Sequence, residues 1–572
     1  MTSTSKSEYS EEVSFYNLLT SQQIHEKEMS HTLADSIYNI LDVSAIQSYY
    51  PGIELIFNHD YIKKPIKQYK NISINGGNIS SIIKSEKNKE YTVQLTDNSE
   101  KLLFCKKIHI LDPFEKIMGN YNTNSTIYNN IVLPCSNNFY NIYDTLTSQT
   151  NQAYIDALVG SILSYLAVNN YSPHFVKQYD TYMGIASTYK YDITQDFDSL
   201  KYHSWFWDII NNGIQLIVTD LSNNSIPINE LPTELIGQPD NDELYSYSDS
   251  NSDSISVEEL TDIEYNKHNI TDEIEECSSI KTDIECDNIE CIDSKYNEDN
   301  IKINIDISDM PVMLIFQECM TGTMDDLLNI DEFVTKNGIL NSKQETIWSA
   351  WIFQIIVALT QMQALFGIIH NDLHTNNITW CNTDKKYLYY KSRSGNKYKV
   401  PTHGKIFKII DFGRATFNWD NNTIFSDDYR DGNDAYGQYK IDDTDSCIGP
   451  SQPNASFDLC RFAVSLIEGL YNSAPNEKKK STILSKNSSK IVKETVSPLY
   501  NLLWSWMVDD NNESIYLDEN NEHRFPGFEL YIHIASNIHN AVPAKQINNS
   551  VFNNYKYTFN IPNNEYIYPL FI

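Results

Sequence analysis

Positive charge is scarce in this chain of 572 residues, where 43 Lys and Arg stand against 76 Asp and Glu and give a formal net charge of −33. A negative field over the whole molecule repels phosphate backbones and anionic lipid surfaces, which argues against nucleic acid and membranes as partners. The deficit is uneven, because residues 240–300 hold 20 acidic side chains and only three lysines. That segment carries about half of the net charge.

Paired cysteines are also missing. None of the nine cysteines takes the Cys-x-x-Cys spacing that marks zinc sites and redox centres. Free thiols without such a framework are typical of a reducing compartment. No apolar run approaches the roughly 18 residues that a membrane helix needs, and the N-terminus leads into no apolar core of a signal peptide. The sequence therefore predicts a soluble, cytoplasmic protein with no membrane partner.

Apolar side chains are sparse in residues 238–305, where serine and acidic residues dominate. A segment with low hydrophobicity and high charge buries too little apolar surface to offset the entropy cost of ordering. We therefore expect a disordered insertion over 238–305, with ordered chain resuming at Pro311.

Two stretches of the chain carry carboxylate and amide side chains that suit catalysis. Residues 368–377 contain Asp372 and, five residues later, Asn377, and residues 409–413 contain Asp411. Phosphoryl transfer needs one carboxylate that orients the attacking hydroxyl, and an amide plus a second carboxylate that hold Mg²⁺ on the nucleotide phosphates. A single stretch of this kind occurs by chance, but the two in this order predict a phosphoryl transferase.

The two stretches resemble the catalytic loop and the metal-binding motif of protein kinases, His-x-Asp-Leu-x-x-x-Asn followed by Asp-Phe-Gly. With residues 405–415 and 456–461, the chain is more narrowly similar to the divergent kinase-like proteins of giant DNA viruses. The likeness extends over residues 71–545. It implies an α+β fold with two lobes, a small antiparallel β lobe and a larger helical lobe.

Domain bounds follow from the same resemblance. We expect an N-terminal extension over 1–70, a small lobe with its hinge over 71–328, a large lobe over 329–545 and a C-terminal tail over 546–572. The acidic insertion interrupts the small lobe.

The resemblance implies ATP and Mg²⁺ as cofactors and a protein substrate of unknown identity. Asp372 would be the catalytic base, and Asn377 and Asp411 would bind Mg²⁺. His370 would brace the metal-binding motif. His374 would meet the γ-phosphate as a partly charged cation, since an unperturbed histidine titrates near about 6.5.

Alternating apolar residues over 71–111 predict an antiparallel meander of strands. In a kinase, such a meander carries a glycine-rich cover over the phosphates and a phosphate-binding lysine. Gly76 and Gly77 would supply the cover, although a plain hairpin turn explains them equally well. Lys106 shares a strand face with a preceding phenylalanine and is the candidate lysine. Lys107 is its competitor, and a solvated lysine at the sheet edge also remains open.

Apolar residues at helical spacing predict a helix over 151–168 and a second over 345–366 that ends at Gly367. Kinases pair the phosphate lysine with a Glu on the first of these helices, which here contains none. Asp156 is the acid available there, and a surface position for it is an equally open alternative. Asp458 would brace the catalytic-loop backbone, or else simply begin its own helix.

Residues 312–316 form an apolar run typical of a buried strand, and a short connector then leads into a helix. In a kinase, adenine bonds to the backbone of that connector. The resemblance assigns this role to the chain near Glu318 and Met320, with Gln317 at the back of the pocket. An ordinary strand, loop and helix would produce the same pattern.

Three functions remain open at this point. The favoured one is an ATP-dependent serine/threonine-protein kinase, of the cytoplasm or of a virion if the protein is viral. A small-molecule phosphotransferase is suggested by His374 and by the missing Ala-Pro-Glu. A pseudokinase scaffold is suggested by the missing glycine-rich motif and helix Glu. Retention of Asp372, Asn377 and Asp411 together speaks against the scaffold.

Overall fold

The computed structural model describes sixteen stretches of the chain, namely residues 25–26, 30–56, 72–73, 79–87, 89–118, 143–194, 196–211, 214–220, 224–227, 301–335, 340–419, 422–441, 449–471, 497–517, 523–563 and 565–572. Gly76, Gly77 and residues 228–300 of the chain, which include most of the expected insertion, lie outside the described residues.

The α-helices of the described stretches are α1 (His31–Leu41), α2 (Pro113–Ile117), α3 (Tyr143–Thr147), α4 (Gln152–Val168), α5 (Phe197–Leu200), α6 (Ser204–Asn211), α7 (Met324–Leu328), α8 (Ser342–Phe366), α9 (Phe457–Tyr471), α10 (Pro498–Trp506), α11 (Glu529–Asn537) and α12 (Pro543–Gln546).

The strands of the same stretches are β1 (His25–Glu26), β2 (Val43–Gln47), β3 (Ile72–Ser73), β4 (Ile79–Ser85), β5 (Glu90–Leu95), β6 (Glu100–His109), β7 (Gln178–Asp192), β8 (Gln215–Asp220), β9 (Ser225–Ile226), β10 (Ile301–Glu318), β11 (Gly322–Thr323), β12 (Ile378–Asn382), β13 (Tyr387–Lys391), β14 (Lys397–Pro401), β15 (Lys405–Ile409), β16 (Phe417–Trp419), β17 (Asn422–Ile424) and β18 (Ile567–Pro569).

The chain divides into two compact units. The first combines Met1–Leu111, Asn124–Ala186 and Pro311–Ile572, and the second combines Asp112–Thr123 with Ser187–Met310. The expected boundary between a small and a large lobe, at residue 328, falls inside the first unit. The class itself is α+β, as the sequence predicted.

A curled antiparallel sheet forms part of the first unit, with strand order β2-β7-β10-β6-β5-β4. Its middle strand β10 contains the apolar run at 312–316, in which every side chain is at most 2% exposed. Such a run fits a strand covered on both faces. β10 pairs with β6 so that Ile315 lies opposite Lys106 and Phe316 opposite Cys105. The buried strand predicted at 312–316 is confirmed.

Helix α4 follows its N-cap Asn151, whose side chain accepts a hydrogen bond from the N–H of Ala153. Thirteen of its seventeen residues are buried. A helix that is buried nearly all round belongs to a core rather than to a surface. The helix predicted over 151–168 is therefore confirmed, and Asp156 lies inside it rather than at the surface.

Helix α8 is longer and more apolar than the sequence analysis recognised. Asn341 and Gln344 form a capping box at its start, and Gly367 ends it with a φ of 60°. Among the described helices it alone is long and apolar enough to cross a membrane, with a mean hydropathy of 1.4 over 18 residues, so the statement that no run approaches this length was wrong. Because 83% of that window is buried inside the protein, the helix is consistent with the core of a soluble protein.

The expected tail over 546–572 instead joins a sheet. β18 pairs in parallel with β13, placing Tyr568 beside Tyr390, and Leu570 is fully buried. β13 also pairs with β14 in an antiparallel hairpin. The C-terminal residues are therefore part of the first unit's packed structure, because their alternating apolar side chains complete a hydrophobic face.

In the second unit, β8 pairs with the first residues of β10, from Ile301 opposite Asp220 to Asp306 opposite Gln215. Ile301, Ile303 and Ile305 are at most 4% exposed. The predicted insertion therefore ended too late, since residues 301–305 form a strand. Isoleucine at every second position buries one face of that strand despite the charged residues between them.

Candidate functional site

The catalytic-loop stretch begins directly after α8, and a buried carboxylate holds its backbone. The N–H groups of His370 and Asn371 donate to Asp458 at 3.1 and 2.9 Å. Asp458 is fully buried at the start of α9. Two backbone donors on one carboxylate fix the direction in which the following residues leave the core. The bracing role predicted for Asp458 agrees with this geometry.

His370 links this loop to the strand end before Asp411. Its Nε2 lies 2.8 Å from the carbonyl oxygen of Ile410, and the N–H of Asp372 donates to its Nδ1 at 3.3 Å. A carbonyl only accepts, so Nε2 carries the proton and Nδ1 is the acceptor. The histidine therefore ties Asp372 to the backbone that delivers Asp411.

Asn371 is a second organising residue, which the sequence analysis missed. It adopts a left-handed backbone with φ of 64°. Its Nδ2 donates to the carbonyl of Arg414 and to Oγ1 of Thr416, at 3.1 and 3.2 Å, and its Oδ1 accepts from the hydroxyl of Tyr439 at 2.7 Å. The only sequence signal was an asparagine, a residue type that tolerates the left-handed region. This side chain anchors the segment after Asp411.

Asn377 turns its side chain back into the loop. Its Nδ2 donates to the carbonyl of Asp372 at 2.9 Å and lies 3.1 Å from Nε2 of His374. The N–H of Ile410 donates to the carbonyl of Asn377 at 3.0 Å, which places Asn377 beside the strand that ends at Asp411. The amide of Asn377 and the carboxylate of Asp411 therefore come from adjacent backbone segments.

His374 differs from the expected partly charged cation. Burial lowers its pKa, although the carboxylate of Asp372, 3.9 Å from Nε2, favours the charged form. The amide Nδ2 of Asn377 can only donate, so Nε2 of His374 accepts that bond and carries no proton. Burial therefore favours the neutral form of His374.

Lys106 lies between two carboxylates. Its Nζ is 2.6 Å from Oδ2 of Asp156 and 2.8 Å from Oδ1 of Asp411. Nζ of Lys107 instead donates to the carbonyl of Leu41 at 3.1 Å. Of the two candidate lysines, Lys106 is the one in the site. Asp156 is the acid that pairs with it, so the alternative of a surface position for Asp156 does not hold.

Asp156 also fixes the residue after Asp411. Its Oδ1 accepts a hydrogen bond from the N–H of Phe412 at 2.7 Å. One carboxylate on α4 therefore holds both the lysine of β6 and the backbone next to Asp411. This bond joins three elements that are far apart in the sequence.

The pKa values of this cluster follow from its charges. Burial disfavours the charged form of Lys106, but Asp156 and Asp411 outweigh it and raise its pKa. Burial raises the pKa of Asp156, whose side chain is 6% exposed. Partial burial acts the same way on Asp411, yet Lys106 outweighs it and lowers the pKa of Asp411. The side chain of Asp411 is 45% exposed, so one side of this anion remains open to solvent.

The connector after β10 is where the adenine contacts were predicted. The N–H of Glu318 donates to the carbonyl of Lys177 at 2.9 Å, and its carboxylate accepts from the N–H of Lys177 and pairs with Lys408. This N–H is therefore already used within the protein. Gln317 lies opposite Phe104 in the sheet, and it and Met320 are both half-buried. The adenine contacts with the backbone near Glu318 and Met320 stay a prediction.

The donor atoms suit magnesium in kind. Asp411 offers an outward carboxylate and Asn377 an amide oxygen, and Mg²⁺ in nucleotide sites commonly takes one or two protein ligands with phosphates and waters. Within the described stretches, no group of three or more His, Cys, Asp or Glu side chains is placed to hold a metal by itself. A metal here would therefore depend on nucleotide phosphates for most of its coordination.

The segment after Gly413 is tied to the start of α4. Oδ1 of Asp427 accepts from the N–H of Gln152 at 2.9 Å, and Asp428 pairs with Nε of Arg414 at 2.6 Å. Burial raises the pKa of Asp427 to about 7. Since α4 also carries Asp156, these contacts connect the segment after Gly413 to the ion pair of Lys106 with Asp156.

Tyr531 contacts Asp372 and Arg461 in turn contacts Tyr531, two side chains that the sequence did not predict for this site. The hydroxyl of Tyr531 donates to Oδ1 of Asp372 at 2.7 Å, and Nε of Arg461 donates to the same hydroxyl at 2.9 Å. Tyr531 stands 159 residues beyond Asp372. No local pattern connects residues at that distance along the chain, so no sequence signal was available.

Comparisons with known proteins add no identity. No protein-family model matches the chain, and no curated protein matches its sequence. The functional conclusion must therefore come from the geometry described above.

Proposed function

We propose that this protein is a protein kinase, which transfers the γ-phosphoryl group of ATP to serine or threonine hydroxyls of proteins with Mg²⁺ as cofactor. The proposal includes a kinase-like arrangement of two lobes. The observation that carries it is the contact of Lys106 with both Asp156 and Asp411 beside the loop that bears Asp372 and Asn377. Five side chains that suit phosphoryl transfer, from four separate parts of the chain, lie together there.

Each group has a role that its surroundings favour. Lys106 remains charged because two carboxylates face it, so it can hold nucleotide phosphates. Asn377 and Asp411 would hold Mg²⁺, which neutralises charge that develops on the transferred group. Asp372 would orient the acceptor hydroxyl and take its proton. The backbone bonds from His370 and Asn371 to Asp458 keep that carboxylate in place.

A pseudokinase scaffold would gain nothing from this geometry. The missing helix Glu was the reason to consider it, and Asp156 supplies that contact at 2.6 Å. A small-molecule phosphotransferase remains the second candidate. The observation that favours it is the position of His374, whose Nε2 lies 3.9 Å from Asp372, because protein-serine kinases commonly carry a lysine at this place in the loop.

The decisive experiment measures phosphate transfer from γ-labelled ATP to casein, with and without Mg²⁺. Asp372→Asn and Asp411→Ala should each reduce transfer by at least about 100-fold, within the range that removal of a catalytic group costs. Asp384→Asn is the matched control, because Asp384 is an exposed acid between β12 and β13 that lies outside the site. Transfer that survives in both site variants would refute the proposal. Mg²⁺-dependent ATP stabilisation without protein phosphorylation would instead favour the small-molecule enzyme.

A further inference from the structure

The hydroxyl of Tyr531 occupies the position that an acceptor hydroxyl should take. It donates to Oδ1 of Asp372 at 2.7 Å, within the roughly 2.6–3.2 Å over which a base removes a proton from its substrate. Asp372 is the group that the proposed function assigns to the acceptor. The protein thus presents one of its own hydroxyls to its proposed catalytic base.

Three neighbours hold the phenol there. Its ring stacks on Phe528 with centroids 5.2 Å apart and an interplanar angle of 13°, and Phe457 packs at 5.9 Å. Nε of Arg461 donates to the hydroxyl, and its guanidinium lies 5.2 Å from the ring centroid. A nucleophile fixed by stacking and hydrogen bonding has already lost the freedom that a diffusing acceptor must give up.

The charges around the Tyr531 hydroxyl also favour phosphate transfer to it. Burial raises the pKa of Tyr531, and the charge of Asp372 acts in the same direction. The phenol is therefore neutral and needs a base to become a nucleophile, which Asp372 supplies. Arg461 offers a cation to the phosphate ester that would form, since guanidinium groups bind phosphate oxygens well.

We propose that Tyr531 is an intramolecular phosphate acceptor, so that the protein phosphorylates its own tyrosine at the catalytic loop. This inference rests on the proposed function. The phenolic oxygen attacks the γ-phosphorus of ATP and forms a new P–O bond. The bond from that phosphorus to the bridging oxygen breaks, and ADP leaves with the bonding pair. The phenolic proton passes to Oδ1 of Asp372.

One consequence concerns external acceptors. A second hydroxyl must compete with Tyr531 for the space around Oδ1 of Asp372 while Tyr531 is bound there. A phosphate on Tyr531 places negative charge beside the carboxylate and drives the phenol away from it. Transfer to a protein acceptor should therefore begin after a lag in the wild type and without one in Tyr531→Phe.

The test incubates the full chain with γ-labelled ATP, Mg²⁺ and casein, and then maps phosphate by peptide mass spectrometry. We expect up to one phosphate per chain on Tyr531, at a rate unchanged when the protein is diluted tenfold. Tyr531→Phe should abolish this signal, and Asp372→Asn should abolish it together with casein phosphorylation. Tyr38→Phe, at a tyrosine that is 53% exposed on α1, is the matched control.

The outcomes separate the inference from the function on which it rests. Casein phosphorylation without phosphate on Tyr531 overturns the inference and leaves the proposed kinase standing. A rate on Tyr531 that rises with protein concentration also overturns it, because the transfer would then occur between molecules. Bound ATP without transfer to either acceptor overturns both proposals. Unfolding temperatures of the two phenylalanine variants, compared with the wild type, exclude misfolding as the cause of a lost signal.

Discussion

Replacing Asp156 with asparagine tests the contact on which the site depends. The carboxylate has two acceptor oxygens, and each is used, one by Nζ of Lys106 at 2.6 Å and one by the N–H of Phe412 at 2.7 Å. An amide has one acceptor oxygen, so its NH₂ group must face one of these two donors. The variant therefore loses a negative charge and one buried hydrogen bond without changing the side-chain volume.

The expected loss of stability follows from these contacts. A hydrogen bond to a charged group contributes about 1.5–3 kcal/mol, and breaking a buried ion pair costs about 3–5 kcal/mol. Lys106 is 26% exposed and keeps Asp411 at 2.8 Å, which reduces the cost. We expect Asp156→Asn to destabilise the protein by about 2–3 kcal/mol, which lowers the unfolding temperature of a chain of this size by about 2–3 °C.

The assay is thermal unfolding followed by near-ultraviolet circular dichroism at pH 7, with ATP affinity as a second readout. Affinity should also fall, because Lys106 then turns fully toward Asp411 and competes for the proposed metal ligand. Asp35→Asn, an exposed acid on α1, is the matched control and should change neither quantity. If both variants unfold at the same temperature, Asp156 does not hold the site together and the reasoning is wrong.

Three further predictions concern individual positions. Lys106→Met should reduce ATP-dependent transfer by at least about 100-fold. Lys107→Met, which loses only a bond to the carbonyl of Leu41, should stay active, and the reverse result would place the phosphate lysine one residue later. Because burial raises the folded-state pKa of Asp427 to about 7, the folded protein binds a proton there that the unfolded chain releases, and stability from this group falls as pH rises from about 4 to about 7. Asp427→Asn keeps an oxygen for the N–H of Gln152 and should be more stable than wild type at pH 8 by about 1–2 kcal/mol but not at pH 4, as urea denaturation at the two pH values would reveal. Gly367→Ala should destabilise by about 2 kcal/mol, since φ is 60° and a Cβ would lie 2.3 Å from Nδ2 of Asn418. Gly395→Ala, at φ of 88° with no atom within 4 Å, should show only the backbone part of that loss, and equal losses at the two sites would exclude the clash.

Local patterns were enough to predict the parts of the site that are continuous in sequence. The loop from His370 to Asn377 and the short stretch at Asp411 carry their chemistry in their own order and spacing. The buried run in β10 and the periodicity of α8 likewise depend only on neighbouring residues. The strand and the helix follow from the spacing of their apolar residues, which the sequence displays directly.

Features that depend on distant partners were not predictable in this way. Helix α1 ends at Leu41, where Asp42 adopts a left-handed backbone with φ of 55°, and β2 then pairs with the distant strand β7. Residues 301–305 looked polar, and only the partner strand β8 makes their isoleucines a buried face. In both places the partner strand decides which residues form a strand and which face is buried. A single sequence does not show which strands pair.

The environment of Asp372 shows the same dependence and explains why α9 matters to the site. Asp458 and Arg461 stand three residues apart on α9, and side chains at that spacing share one helix face. Asp458 holds the N–H groups of His370 and Asn371, while Arg461 holds the hydroxyl that reaches Oδ1 of Asp372. One face of one helix therefore controls both the backbone of the loop and the neighbour of its carboxylate. The two controls are separable, because the first acts through main-chain bonds and the second through Tyr531 alone. Loss of Asp458 should therefore disturb the loop as a whole, whereas loss of Arg461 should leave the loop in place and change only which hydroxyl Asp372 meets.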